Sequence, residues 1–210
     1  MNNILLVGAH YDDVELGCAG VAARFAEEGK NVYKLTLTDN VTDFKQMNIQ
    51  VDEETSIADS AKACKVLGIN EITDFKTVPC NYLTYDTKVM QAIEAIIFDK
   101  NIDTVFMHFF SDMNTDHSAA SQICMTAARH CKNLIYYQSN GYLLAEPYYP
   151  TLFFDITNQY EKRREALNQY GCMHNRYSRL FEMSMERTSV WGYANRVKYA
   201  EGFVPVKLTF

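Results

Sequence analysis

Short apolar runs alternate with amphipathic stretches along the chain, and this alternation predicts an α/β fold. Continuous apolar runs of this length are typical of strands buried in a parallel sheet. Between them, apolar residues recur at helical spacing, as Ile57, Ala61 and Cys64 do in one stretch. Strands are predicted over 4–7, 32–37, 72–78, 102–107, 134–137 and 151–156. Helices are predicted over 21–28, 53–67, 87–99, 118–131 and 158–170.

Two parts of the chain show a weaker pattern. The polar stretch 41–52 has no clear period and is predicted to be a loop. Residues 141–210 mix arginines with aromatic residues, so we expect a less regular C-terminal part after a core of about residues 1–140. No repeat or linker interrupts the 210 residues, which predicts a single domain over 1–210.

Charge and hydropathy exclude several classes of protein. The formal net charge of −6 argues against a nucleic-acid partner, because phosphate backbones are bound by clustered Lys and Arg. No apolar run approaches the roughly 20 residues that a membrane span needs. The start, Met1-Asn2-Asn3, lacks the basic residues of a signal peptide. We therefore expect a cytoplasmic protein without a membrane span.

Polar side chains follow the first and the fourth predicted strands. The clusters are His10, Asp12 and Asp13 after the first strand, and Asp112, Asn114, Asp116 and His117 after the fourth. Because parallel strands end at the same edge of a sheet, we expect both clusters to meet there. A catalytic zinc keeps three protein ligands, which His10, Asp13 and His117 would supply, leaving Asp12 as a base. The first cluster alone also fits a helix with an acidic first turn.

The motifs around these clusters resemble a known family. Ala9–Glu15 reads A-H-Y-D-D-V-E, and the pair Asp116-His117 follows later. The PIG-L/LmbE-like zinc-dependent N-acetyl-sugar deacetylases carry A-H-P-D-D-x-E near the N-terminus and a later D-H pair. The resemblance covers about residues 1–140 and is loose beyond them. It implies a Rossmann-like, three-layer domain with a mostly parallel sheet and a metal site at the carboxyl ends of its strands.

The resemblance also implies a role for each motif residue. The implied metal ligands are His10, Asp13 and His117. Asp12 would be the general base, Glu15 a supporting residue near the site, and Asp116 a residue that orients a neighbouring ligand. The implied cofactor is Zn²⁺, although the same ligands accept Fe²⁺ or Co²⁺.

Two positions depart from the family pattern. Tyr11 replaces the usual proline, which removes a fixed φ angle from the turn. Asn114 stands where many members have a histidine. Asparagine can donate a hydrogen bond to an oxyanion but cannot release a proton at neutral pH, so the general acid is left open. His108, at the end of the fourth strand, is interpreted as a structural histidine.

The expected activity is zinc-dependent removal of an N-acetyl group from an amino sugar. The substrate would be an N-acetylglucosamine-like conjugate, a nucleotide sugar, or a glycan or antibiotic precursor. Candidate substrate-binding residues are Asp112, Tyr142 and Arg176. Two alternatives stay open: a metal-dependent amidase for non-sugar acyl amides, and a catalytically silent glycan-binding module. The aromatic residues of the C-terminal part leave room for a homo-oligomer.

Overall fold

The computed structural model describes residues 1–47, 49–141, 144–171 and 174–209, without the side chains of residues 47 and 174–178. The strands β1 to β9 are Asn3–Gly8, Asn31–Thr36, Thr42–Phe44, Ile49–Val51, Asn70–Glu71, Thr104–His108, Asn133–Tyr137, Leu152–Asp155 and Ala200–Lys207. The helices α1 to α6 are Asp13–Glu27, Glu53–Leu67, Thr87–Asp99, Thr115–Ala127, Tyr160–Asn168 and His174–Ala194. A 3-10 turn spans Lys45–Met47.

Seven strands form one sheet in the order β5-β2-β1-β6-β7-β9-β8. The pairs from β5 to β7 are parallel, whereas β9 runs antiparallel to β7 and to β8. The predicted α/β fold with a mostly parallel sheet is therefore confirmed. The strand order reverses direction between β1 and β6, and open α/β sheets bind ligands at such a switch point.

The sheet is buried on both faces, which gives the predicted three layers. Successive residues of β1 point to opposite faces. Ile4 and Leu6 join the core beneath α1, which also contains Ala166 of α5. Leu5 and Val7 join the opposite core, which contains Ile93 of α3. The predicted strand over 4–7 thus lies at the centre of the domain.

Three local predictions differ from the structure. The expected loop 41–52 contains an antiparallel hairpin, in which β3 pairs with β4. These strands have three residues each, too few to show a period in the sequence. The strand predicted over 72–78 is wrong, since only Asn70–Glu71 pairs with β2 and Val78 makes a single bridge to Thr38. Helix α1 begins at Asp13 instead of residue 21.

The C-terminal part is more regular than expected. It contains the 21-residue helix α6 and the eight-residue strand β9. The inward positions of α6 include Phe181, Ser184 and Thr188, which have helical spacing and are buried. Two of these three residues are polar, so the buried face carries no apolar period. Among the described residues, no helix has both the length and the apolar content to cross a membrane.

Candidate metal and catalytic site

Two loops at the carboxyl edge of the sheet form the site. One connects β1 to α1, and the other connects β6 to α4; the two strands are hydrogen-bonded neighbours. The first loop turns sharply at Gly8, where an added Cβ would lie 2.7 Å from the His10 carbonyl oxygen. The sheet order therefore brings together the two clusters that the sequence placed about a hundred residues apart.

The three predicted metal ligands converge in this loop pair. His10 Nδ1 lies 3.1 Å from His117 Nε2 and 3.3 Å from Asp13 Oδ2. His117 Nε2 lies 3.2 Å from Asp13 Oδ1. All three side chains line one cleft, and those of Asp13 and His117 are almost fully buried. Two imidazole nitrogens and one carboxylate thus surround a common point.

The outer nitrogens of both imidazoles face carboxylates. His10 Nε2 lies 3.1 Å from Asp116 Oδ2, and His117 Nδ1 lies 3.0 Å from Asp112 Oδ2. A neutral imidazole carries one proton, and a carboxylate only accepts; with the proton on the outer nitrogen, each inner nitrogen presents a lone pair. Lone pairs and a carboxylate facing one another need a cation between them. These residues therefore fit a divalent metal ion.

The electrostatics agree with this interpretation. Burial lowers the pKa of His117, but Asp13 and the hydrogen bond to Asp112 outweigh burial and raise that pKa to about 9. The pKa of His10 is also raised, because hydrogen bonds to Asp116 and Asp13 exceed the opposing effect of burial. The carboxylates therefore attract positive charge to this cluster, and a divalent cation can take the place of the added protons.

Other groupings of ligand types lie nearby. His10, Cys80 and Asp116 form one, and His108, Asp112 and His117 form another. Both share a histidine with the first set. Asp116 in the first of these groupings, and His108 and Asp112 in the second, do not line the cleft. The set of His10, Asp13 and His117 therefore fits a metal best.

His108 contacts the site, although the sequence analysis treated it as structural. Its Nε2 lies 3.1 Å from Asp13 Oδ2, and its ring stacks on His117 with centroids 4.0 Å apart. Asp13 Oδ2 also accepts the backbone N–H of His10 at 2.7 Å. Burial raises the pKa of Asp13, but His117 and His108 lower it well below the usual range. His108 is the last residue of β6, the strand beside β1, and this position in the sequence could have indicated that it lies at the site.

Asp12 lines the cleft beside the three converging side chains. It precedes α1 but makes no capping hydrogen bond with its side chain. Burial, and then the neighbouring Asp13 carboxylate, raise the pKa of Asp12 to about 6. A carboxyl group with a pKa near neutrality can both accept and return a proton.

Asn114 lines the same cleft, but its side-chain oxygen is already used. That oxygen caps α4, accepting the backbone N–H of Asp116 at 2.9 Å and of His117 at 3.3 Å. Only the amide nitrogen of Asn114 is left to donate into the cleft.

The acidic residues predicted around the ligands lie behind them. Asp116 faces His10 and also accepts the backbone N–H of Asn81 at 2.7 Å, which fits the orienting role expected of it. Asp112 was predicted to bind substrate. Its side chain is buried against His117 and does not line the cleft.

Glu15 lies below the turn and pairs with a buried lysine. Lys34 Nζ donates to Glu15 Oε1 at 2.8 Å, and both side chains have no exposed surface. Lys34 also donates to the Tyr11 carbonyl oxygen at 2.6 Å, and the Tyr170 hydroxyl donates to the same oxygen at 2.7 Å. Glu15 thus supports the turn through Lys34. The two donors fix a turn that lacks the rigid φ of proline.

Helix α1 kinks one turn after the site. Cys18 has a φ of −150°, outside the helical range, so the site-bearing first turn is separate from the helix predicted after it. Glu201 accepts the backbone N–H groups of Gly20 at 2.9 Å and Val21 at 2.7 Å. Arg163 pairs with Glu201 and donates to the Leu16 carbonyl oxygen at 2.8 Å. A buried ion pair therefore satisfies backbone groups on both sides of the kink.

Two predicted substrate-binding residues cannot be placed. Tyr142 lies outside the described residues. Arg176 lies within α6, but its side chain is outside the description. Asn140, which no motif singled out, lines the cleft, with its Nδ2 3.2 Å from His117 Nδ1.

A family model matches the part of the chain that carries both loops. The family model described as "PIG-L: GlcNAc-PI de-N-acetylase" matches residues 5–128 of the 210. The chain belongs to the PIG-L family. The matched range contains all the residues of both site loops.

Individual relatives of this PIG-L protein differ in what their names describe. The Uncharacterized deacetylase YaiS of Escherichia coli is 27% identical over 162 residues, covering 75% of this chain and 83% of YaiS. The N,N'-diacetylchitobiose deacetylase of Pyrococcus horikoshii superposes with a TM-score of 0.81 at 16% identity, covering 98% and 84% of the two chains. GalB, the 4-carboxy-2-hydroxymuconate hydratase of Pseudomonas putida, superposes with a TM-score of 0.78 at 19% identity, covering 100% and 98%. These structural likenesses establish the shared fold.

Proposed function

We propose that this protein is a metal-dependent hydrolase that removes the N-acetyl group from an amino sugar. The observation that carries the proposal is the convergence of two imidazole lone pairs and the Asp13 carboxylate beside Asp12. The family description and the names of YaiS and the Pyrococcus enzyme support deacetylation as the reaction. The Pyrococcus name supports a sugar as the class of substrate.

His10, Asp13 and His117 would hold the metal, with zinc as the first candidate. When bound, zinc supplies the Lewis acidity that activates water and polarises the acetamide carbonyl. Asp112 and Asp116 keep the two imidazoles in the required tautomers. The His10 backbone N–H donates to Asp13 and fixes the orientation of this carboxylate.

Asp12 would move the protons. It takes a proton from the attacking water and then delivers it to the amine that leaves, so it serves as base and then as acid. Asn114 replaces the histidine of other members and has no proton to give, which assigns both steps to Asp12. The Asn114 amide N–H would donate to the oxyanion.

Metal removal and reloading test the proposal directly. Acetate release is measured on a panel of N-acetylglucosamine conjugates, with metal-stripped protein and with protein reloaded with Zn²⁺, Fe²⁺ or Co²⁺. We expect the stripped protein to be inactive and one of the reloaded forms to recover activity. Turnover of non-sugar acetamides alone would favour the general amidase. Metal binding without turnover of any acetamide would favour the silent binding module.

The carboxylate behind His117 should tune metal affinity. Replacing Asp112 with asparagine removes the charge that faces His117 Nδ1 while keeping the shape of the side chain. We expect the metal dissociation constant to rise about 10- to 100-fold, because partners of metal-binding histidines set their basicity. Competition with a chelator measures the constant. Asp99→Asn is the matched control, since the Asp99 side chain is 78% exposed on α3. An unchanged constant in Asp112→Asn would contradict this role.

A further inference from the structure

The cleft above the ligand cluster has a volume of about 100 Å³ and two kinds of wall. Asn40 and Asn81 are among its polar lining residues. The apolar lining includes Phe44, whose surface is 45% exposed, and Leu180. A pocket with one apolar surface and several neutral donors and acceptors matches a sugar ring, which has an apolar C–H face and a rim of hydroxyl groups.

Phe44 is presented by an anchored hairpin. It ends β3, which pairs only with β4 among the described strands and stands apart from the main sheet. The base of the hairpin is held at Asp39, whose Oδ1 accepts the N–H of Val41 at 3.0 Å and of Cys80 at 2.9 Å. Asn40 adopts a φ of 61° and donates to the Ser56 hydroxyl at 3.0 Å. The chain that enters the hairpin is therefore anchored beside the cleft.

The polar side of the cleft is tied to the ligand cluster. The backbone N–H of Asn81 donates to Asp116 Oδ2, and that oxygen also faces His10. Asn81 has a φ of 68°, a conformation that asparagine tolerates better than most residues. Its carboxamide is thereby positioned by the same carboxylate that orients a metal ligand. A ring bound against this wall would lie next to the reacting centre.

We propose that the β3–β4 hairpin is a sugar-recognition element of this enzyme and that Phe44 supplies its apolar contact. Phe44 stacks on the apolar face of a pyranose, while Asn81 hydrogen-bonds to its rim. This inference rests on the proposed function, because it takes the bound sugar to be the substrate of the deacetylation. The axial 4-hydroxyl of N-acetylgalactosamine lies on one face of the ring and leaves the other face apolar, so Phe44 can stack on either 4-epimer.

Kinetics of Phe44→Ala test the proposal. With methyl β-glycosides of N-acetylglucosamine, we expect KM to rise about 3- to 10-fold with kcat little changed, because the lost contact binds the ring without entering the reaction. Phe44→Tyr should restore the wild-type KM. Val41→Ala is the matched control, since Val41 is 48% exposed on the same segment but does not line the cleft. An acyclic N-acetyl amine should show no dependence on Phe44.

A binding measurement separates this proposal from the proposed reaction. Titration calorimetry of the same glycosides with metal-stripped wild type and Phe44→Ala reports on the subsite without turnover. Weaker binding in Phe44→Ala supports the subsite even if no acetate is ever released. Equal binding and equal KM in the two proteins overturn it even if deacetylation is confirmed. Tight binding of phosphorylated sugars that is equal in wild type and Phe44→Ala would also overturn it, because recognition would then depend on charge.

Discussion

Replacing Asp12 with asparagine is expected to lower kcat by a factor of about 10² to 10⁴ while the protein keeps its metal. Asp12 lines the cleft and is not one of the three converging ligands, so its loss leaves the metal set intact. The asparagine side chain has nearly the same shape but cannot accept a proton from water. Steady-state acetate release and metal content measured on the same sample check both halves of the expectation.

His117→Ala provides the contrast. This change removes one of the three ligands, so metal content and activity should fall together. Asp12→Asn should lose activity alone. If Asp12→Asn keeps activity within a few-fold of wild type, Asp12 is not the base and the proton passes through another group. If Asp12→Asn also loses its metal, Asp12 belongs to the ligand set.

The pH dependence of kcat gives an independent reading of the same residue. Burial and the Asp13 carboxylate raise the pKa of Asp12 to about 6 without a cation in place. A base acts only when deprotonated, so kcat should fall as the pH drops through the pKa of Asp12. A bound cation favours the ionised form of Asp12, so the fall in kcat should occur below pH 6. The residual kcat of Asp12→Asn should not show this fall at low pH.

The sequence predicted those parts of the fold whose signals are local. Helix α2 was predicted with its observed bounds, because Asp52 caps its start and Gly68 ends it with a φ of 76°. The same holds for α3, which is capped by Asp86. The hairpin at 42–51 was missed, and α6 was missed because its buried face contains Ser184 and Thr188. The pairing of short strands and the packing of a polar helix face depend on tertiary contacts, which the periodicity of the sequence does not show.

The candidate site divides in the same way. The convergence of His10, Asp13 and His117 could be expected, since two motifs followed two strands of one parallel sheet. The residues that hold these motifs in place could not. Lys34 is 23 residues from the carbonyl group that it binds, and Arg163 is 147 residues from the Leu16 carbonyl group. Long-range hydrogen bonds of this kind depend on the finished packing and leave no spacing in the sequence.

Replacing Lys34 with methionine is expected to destabilise the protein by about 3–5 kcal/mol. The change keeps the apolar length of the side chain but leaves the buried Glu15 carboxylate without its partner. It also removes a donor from the Ser60 hydroxyl and the Tyr11 carbonyl groups. For a domain of this size the loss corresponds to a fall in Tm of about 6–20 °C. Denaturant unfolding and thermal unfolding measure the effect.

Two further variants distinguish the loss of stability caused by breaking the buried ion pair from the effect of removing any lysine. Lys162→Met breaks an ion pair with Glu27 at the surface, where the two side chains are 36% and 43% exposed, and should change stability by about 0–1 kcal/mol. Lys34→Met combined with Glu15→Gln removes the unpaired charge and should recover part of the loss. A Lys34→Met protein as stable as Lys162→Met would mean that Glu15 accepts a proton in the fold. The Tyr11 turn would then depend on the Tyr170 hydroxyl for its support.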